Sequence, residues 1–336
     1  MSALLPLDVA LAAVLDGLAP VAARRVAPEE ATGAALAEAV VAPGPVPAHA
    51  AALRAGLAVA ALDLVGASAA TPAVLARRPA GVVAGQALPE GCDAVLAPEA
   101  ASGEGPCEIA EGVAPGEGAA LPGSDAGAGA ILAGPGARVG ARLVLACRLA
   151  GIDALAIRRP RVAIEACADP AADWLAAMLA RAGTERVEAP AEADLTILWD
   201  ATAAPSLALA PGGATRLTRA GARVEARLAP RFDSAFGALA GALWPALARL
   251  SGRRLAPETR PLAAKLVSAI GFSELALLDA TPAGAWRPLA VGAAPLSALL
   301  AAQAVALVDP ACEGLPAGAP LAAIWLDRPF AGAGGA

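Results

Sequence analysis

The sequence predicts an α/β multidomain protein: a helix and a β-rich region, then an α/β layer, then a small β-rich domain. Three observations predict it. Apolar residues recur at helical spacing in several separated stretches. A short apolar strand, a helix and a second apolar strand succeed one another between Val162 and Trp199, the order of a β-α-β unit. Pro257, Pro261, Pro282, Pro288, Pro295 and Pro316 then break the last segment into short apolar pieces, which favours strands over helices. A chain of 336 residues is also too long for one simple core.

The elements follow in order. Leu11, Val14, Leu15 and Leu18 mark one face of a first helix, with Asp8 placed to cap it. From about Val41 to Pro135 the chain is rich in proline and glycine. Turn clusters such as Pro89-Glu90-Gly91 and Pro122-Gly123-Ser124-Asp125 punctuate it, so strands and loops are expected. After Gly136, the residues Val139, Leu143, Ala146 and Ala150 restore helical spacing. Pro160-Arg161 opens a strand over Val162 to Ala166. Leu175, Met178, Leu179 and Ala182 face one side of the next helix, with Gly183 as its stop. Leu195 to Trp199 forms the second strand. Ser234 is placed to cap a further helix with a face of Phe236, Leu239, Leu243, Leu247 and Leu250. Gly237 and Gly241 would let another element approach it closely.

Composition excludes several functions. The hydrophobic fraction is 57%, much of it alanine, and the weakly polar run Ser234 to Ala248 is too short and too interrupted for a membrane span. The first residues lack a basic leader and meet Asp8 early, against a secretory signal. Cys92, Cys107, Cys147, Cys167 and Cys312 are scattered, which fits free thiols in a reducing cytoplasm and gives no zinc spacing. A net charge of −6 without a basic block, with no tyrosine and 3% aromatics, gives no footprint for nucleic acid. His49 is the single histidine, so a histidine-dependent triad or metal site lacks material.

Several phrases, collinear along nearly the whole chain, resemble the molybdopterin molybdotransferases, the family of MoeA and the C-terminal domain of gephyrin. LPLDVALAAVL resembles the family's opening helix, and GAALAEAVVAP (Gly33 to Pro43) the stretch after it. VAGQALPEGCDAVLAPE (Val83 to Glu99) follows its T-G-A-x-L-P-x-G-A-D-A-V-V phrase. PGSDAGAGAILAGPGARV (Pro122 to Val139) resembles its G-E-D-I phrase, IRRPRVAI (Ile157 to Ile164) the strand opening the α/β domain, and WPALARLSG (Trp244 to Gly252) the helix closing it. KLVSAIGFSELALL and LPAGAPLAAIWL continue the order into the C-terminal part. The resemblance implies a split N-terminal helical domain (1–45 and 112–156) with an inserted β-domain (46–111). It further implies a three-layer, molybdopterin-binding-like α/β domain (157–252) and a small C-terminal β-barrel domain (253–330). It implies molybdopterin or its adenylylated form, molybdate and magnesium as ligands, a homodimer, and a molybdoenzyme as a candidate partner.

The residues that do the family's chemistry are largely replaced. Against P-P-F-D-N-S-A-M-D-G-Y-A stands PAHAAALRAGLA (Pro47 to Ala58), with Ala50, Ala51, Ala52 and Ala55 in place of polar and acidic residues. The turn S-T-G-D-E-L becomes Ala166-Cys167-Ala168-Asp169-Pro170. The phosphate loop S-G-G-V-S-V-G reads Trp199-Asp200-Ala201-Thr202-Ala203, losing the glycines that permit close backbone approach to an anion. Asp200 adds a repulsive charge there. P-G-K-P becomes Pro211-Gly212-Gly213-Ala214, and L-P-G-N-P-x-S becomes Leu228 to Ser234, with Arg231 as a replacement cation.

What survives defines the candidates. Asp125 matches a family acid of the active cleft; a turn role between Gly123 and Gly127 is the competing assignment. Gly85, Asp169, Gly212, Arg231 and Ser234 are the candidate cofactor-binding positions, and no metal-ligand set is defined. Asp93 reads as structural, His49 as a loop residue, Cys167 as an inert thiol, and the tryptophans as core or subunit anchors. Three functions stay open: a non-catalytic member in molybdenum-cofactor metabolism, a working molybdotransferase with a rebuilt site, and a scaffold for a protein partner.

Overall fold

The computed structural model describes residues 4–332. Residues 1–3 of the predicted split domain lie outside the described residues. The chain divides into two units, Val40–Leu132 with Arg142–Asp153 and the remainder.

In the larger unit, helix α1 (Leu7–Leu15) buries Leu7, Ala10, Val14 and Leu15. Its N-cap is Pro6, and Asp8 sits inside the first turn without capping it. There its charge faces the positive end of the helix rather than a specific amide. Three short strands, β1 (Arg24–Val26), β2 (Ala35–Leu36) and β3 (Leu155–Arg158), form a sheet in the order β1-β3-β2. On the free side of β2, Ala35 pairs with Arg138 and the Val139 amide donates to Ala34. Val139 is therefore part of a backbone ladder, and the predicted helix starts later.

The α/β layer is a five-stranded sheet of β4 (Arg161–Ile164), β5 (Glu185–Val187), β6 (Leu195–Trp199), β7 (Arg216–Ala220) and β8 (Arg223–Leu228). Its order is β5-β4-β6-β8-β7, with β4, β5, β6 and β8 parallel and β7 antiparallel. Strand β4 ends at Ile164, two residues before the predicted limit. Helix α3 (Pro170–Arg181) buries Leu175 and Leu179, and Gly183, at φ +94°, turns the chain out of it. The turn delivers the chain first to β5, an unpredicted edge strand, so β4 gains a parallel neighbour on each side.

Helix α4 (Phe232–Ala238), a π turn (Leu239–Leu243) and α5 (Trp244–Ser251) run on from one another. Phe236, Leu239, Leu243, Trp244, Leu247 and Leu250 of this run fill the main core against Leu175, Ile197 and Leu228. The predicted close approach is real. A Cβ on Gly237 would lie 1.9 Å from the Pro211 carbonyl oxygen, and one on Gly241 2.9 Å from the Leu209 side chain. The C-terminal segment supplies five strands of a six-stranded sheet, β9 (Pro257–Pro261), β10 (Ser273–Ala280), β11 (Trp286–Val291), β12 (Ala304–Val308) and β13 (Pro320–Trp325), with helix α6 (Leu296–Ala301) between β11 and β12; the sixth strand is Leu209–Ala210, parallel to β10. Trp286 and Trp325 meet edge to face at 5.1 Å in its own core.

The smaller unit is built from short strands. Gly56–Val59 lies between Gly81–Val82 and Ala94–Leu96, and Cys107–Ile109 pairs with Ala73–Leu75 and Ala101–Ser102. Leu57, Leu64, Leu96, Cys107 and Ile109 form its core. Helix α2 (Ala141–Leu149) follows, burying Cys147. Among the described residues no helix is long and apolar enough to cross a membrane.

Candidate functional site at the ends of the parallel strands

Ligands of parallel α/β sheets gather beyond the carboxyl ends of the strands. Here those ends lead into 165–169 after β4, 200–203 after β6 and 229–231 after β8. The first and third of these meet at a cavity of about 720 Å³.

Asp169 opens α3: its Oδ1 accepts the Ala171 N–H at 2.8 Å, leaving Pro170 at the first helical position, where its missing N–H costs nothing. Arg231 sits at the N-cap of α4 without a side-chain cap, and its guanidinium donates to both carboxylate oxygens of Asp233 at 3.1 Å. Burial pushes Asp233 up, but the bonds from Arg231 and the Ser234 N–H, with the Arg231 charge, hold it below the ordinary carboxylate range. It is ionised at neutral pH and unsuited to act as a general base there. Trp174, Met178, Phe232, Phe236, Leu299 and Leu326 make most of the cavity wall apolar. Trp174 and Phe236 stand 6.3 Å apart, their planes tilted by 47°.

The loop after β6 turns in on itself. Asp200 Oδ1 accepts both the Thr202 N–H (2.9 Å) and the Thr202 hydroxyl (2.6 Å), and the Ala203 N–H reaches the Asp200 carbonyl at 3.2 Å. The Thr202 hydrogen bonds lower the Asp200 pKa. Amides that a phosphate loop turns outward are spent inside this turn, beside a carboxylate, so these residues do not fit a phosphate. For a divalent cation, the described residues hold no cluster of three or more ligating side chains.

Two of the candidate positions therefore share one cavity, Asp169 and Arg231. Ser234 neither caps α4 nor reaches the wall: it lies inside the helix, 8% exposed, and its Oγ has no hydrogen-bond partner. Gly212 is buried at φ +110° against the Gly237 backbone, which ties it to packing. Asp125 and Gly85 belong to the smaller unit. Asp125 is exposed, its N–H bonded to the Val46 carbonyl; Gly85 makes a turn at φ +84° and donates to Ala52. Asp93 accepts the Ala61 N–H at 2.7 Å, a structural role. Leu296, Leu299 and Leu300 on α6 also line the cavity; no family phrase covers them, and their recurrence at three- and four-residue spacing is the only sequence signal for them.

Residues 5–151 match the family described as the MoeA N-terminal region, domains I and II. No curated protein matches the chain. A crystal structure of the molybdopterin biosynthesis MoeA protein from Pyrococcus horikoshii OT3 aligns with 96% of this chain and 100% of its own, at TM-score 0.69 and 21% identity. A second structure of the P. horikoshii protein gives 96% and 99% coverage, TM-score 0.71 and 19% identity. A molybdenum cofactor biosynthesis protein from Pyrococcus furiosus gives 96% and 100%, TM-score 0.59 and 16% identity. Residues 5–151 thus carry a match to the family's N-terminal region, and the chain has the fold of these MoeA structures along nearly its whole length.

Proposed function

We propose that this chain serves molybdenum-cofactor metabolism by holding molybdopterin, without catalysing molybdenum insertion. The observation that carries the reading is the loop after β6, whose Thr202 N–H and hydroxyl are bonded to Asp200. The cavity beside Trp174 and Phe232 supports the other half, since it offers apolar and aromatic surface to a planar ring and little for a phosphate. On this reading the domains are 1–45 with 112–156, 46–111, 157–252 and a C-terminal barrel at 253–330. The protein works as a cytoplasmic homodimer beside a molybdoenzyme. A working molybdotransferase with a rebuilt site is the second reading, favoured by Asp169 and Arg231 on one cavity; it would add Asp125 and Ser234 as the remaining polar groups.

The test is equilibrium binding of molybdopterin and its adenylylated form, with molybdate and magnesium present. Binding of both without nucleotide release supports the holding role. Nucleotide release overturns it in favour of the enzyme, and absence of binding overturns it in favour of a scaffold.

A further inference from the structure

Positive charge concentrates at the other end of α3, about 18 Å from Asp169 at 1.5 Å per residue over its twelve residues. Strand β2 places Ala35 between two arginines: Ala35 pairs with Arg158 of β3 on one edge and with Arg138 on the other. Paired residues of adjacent strands point to the same face, so Arg138, Ala35 and Arg158 form a row. Its ends are two strand spacings apart, about 10 Å. Alanine at the middle position, 1% exposed, puts no charge or long side chain between the two arginines.

Arg253 adds a third cation. It directly follows Gly252, whose added Cβ would lie 3.4 Å from an Arg158 guanidinium nitrogen, and the charge acting on it is Arg138. Burial, then Arg138, push the Arg253 guanidinium down to about 10, so it stays charged at neutral pH. Part of that charge is answered: one terminal nitrogen donates to the Ala182 carbonyl at 3.0 Å, and the guanidinium stacks 4.4 Å over Phe330. Arg158 likewise donates to the Ala37 carbonyl at 3.2 Å. Yet the Nε atoms of both Arg158 and Arg253 are buried without a hydrogen-bond partner, and among the described residues no ion pair joins any of the three arginines to a carboxylate. Exposure falls from Arg138, exposed, through Arg158, half-buried, to Arg253 at 9%. Buried cations with idle N–H donors and no counter-charge are a strong demand for an anion with several acceptor oxygens.

We propose that Arg138, Arg158 and Arg253 bind a compact oxyanion, either a free inorganic ion or the phosphoryl group of a larger molecule. The site shares no residue with the cavity at Asp169 and stands apart from the proposed function.

The experiment is calorimetric titration of the dialysed full chain with inorganic phosphate, at ionic strength held constant with sodium chloride. Parallel arms with molybdate and glycerol phosphate separate a free ion from a carried group. Saturable binding is expected, weakened at least tenfold in Arg253→Met and in Arg138→Gln. The methionine removes a buried charge while keeping similar volume, and the glutamine replaces an exposed side chain, so both variants are expected to fold. No saturable heat in the unaltered chain overturns the proposal, as does unchanged affinity in the two variants.

Discussion

The two sides of α4 use space in opposite ways. On one side Gly237 meets the Pro211-Gly212 turn so closely that a single added carbon would fall 1.9 Å from a carbonyl oxygen. On the other, Phe232 and Phe236 face a cavity of about 720 Å³. The closed side takes a glycine phrase that the family resemblance assigns to ligand binding and uses it for packing. The open side keeps a volume fit for a small molecule but lines it with apolar groups. The fold shared with the MoeA structures is thus held here by backbone contacts, while the loop after β6 has its amides bonded within its own turn.

Substitutions on the two sides sharpen the contrast. Gly237→Ala should cost most. Alanine is the better helix former by about 1 kcal/mol, but the clash with Pro211 forces backbone movement, and a net loss of about 3 kcal/mol is expected at the upper end of overpacking costs. Urea unfolding followed by fluorescence measures it, and a neutral result would mean that the turn yields freely.

At the lip of the cavity, Asp233→Asn should cost less than about 1 kcal/mol at neutral pH, because its partner Arg231 is mostly exposed and screened. The sign follows from linkage. A carboxyl held below its unfolded value of about 3.9 stabilises the fold above that pH, and the contribution is lost as pH falls through the folded value. In acid-unfolding curves the difference between the unaltered chain and the variant should therefore begin to shrink below about pH 4 and vanish only once the pH has passed below the folded value. On the open wall, Leu300 is 79% exposed, and Leu300→Ala should change stability by no more than about 0.5 kcal/mol by the same denaturation assay.

Much of this frame is legible in the chain itself. The face Leu175, Met178, Leu179 with Gly183 behind it marks α3, and Leu195 to Trp199 marks β6, because burial on one face imposes a period that local sequence records. Gly237 and Gly241 announce a close approach for a similar reason. The hairpin of β7 and β8 leaves no such record: its sequence RLTRAGARVEARL alternates charge with apolar residues, and only pairing with β6 shows that Val224, Ala226 and Leu228 point inward. Ser234 illustrates the opposite error. A serine at a helix start is a good cap by type, yet the helix begins at Phe232 and carries the hydroxyl into the core. The row Arg138, Ala35, Arg158 joins three distant segments, so no local pattern contains it.

The most direct test of the central claim is titration of the purified chain with adenylylated molybdopterin, molybdate and magnesium, following bound pterin and released nucleotide together. The account predicts pterin bound and nucleotide retained. Nucleotide released at a steady rate, and lost on Asp169→Ala or Arg231→Ala, would contradict it and restore a catalytic site to these strand ends.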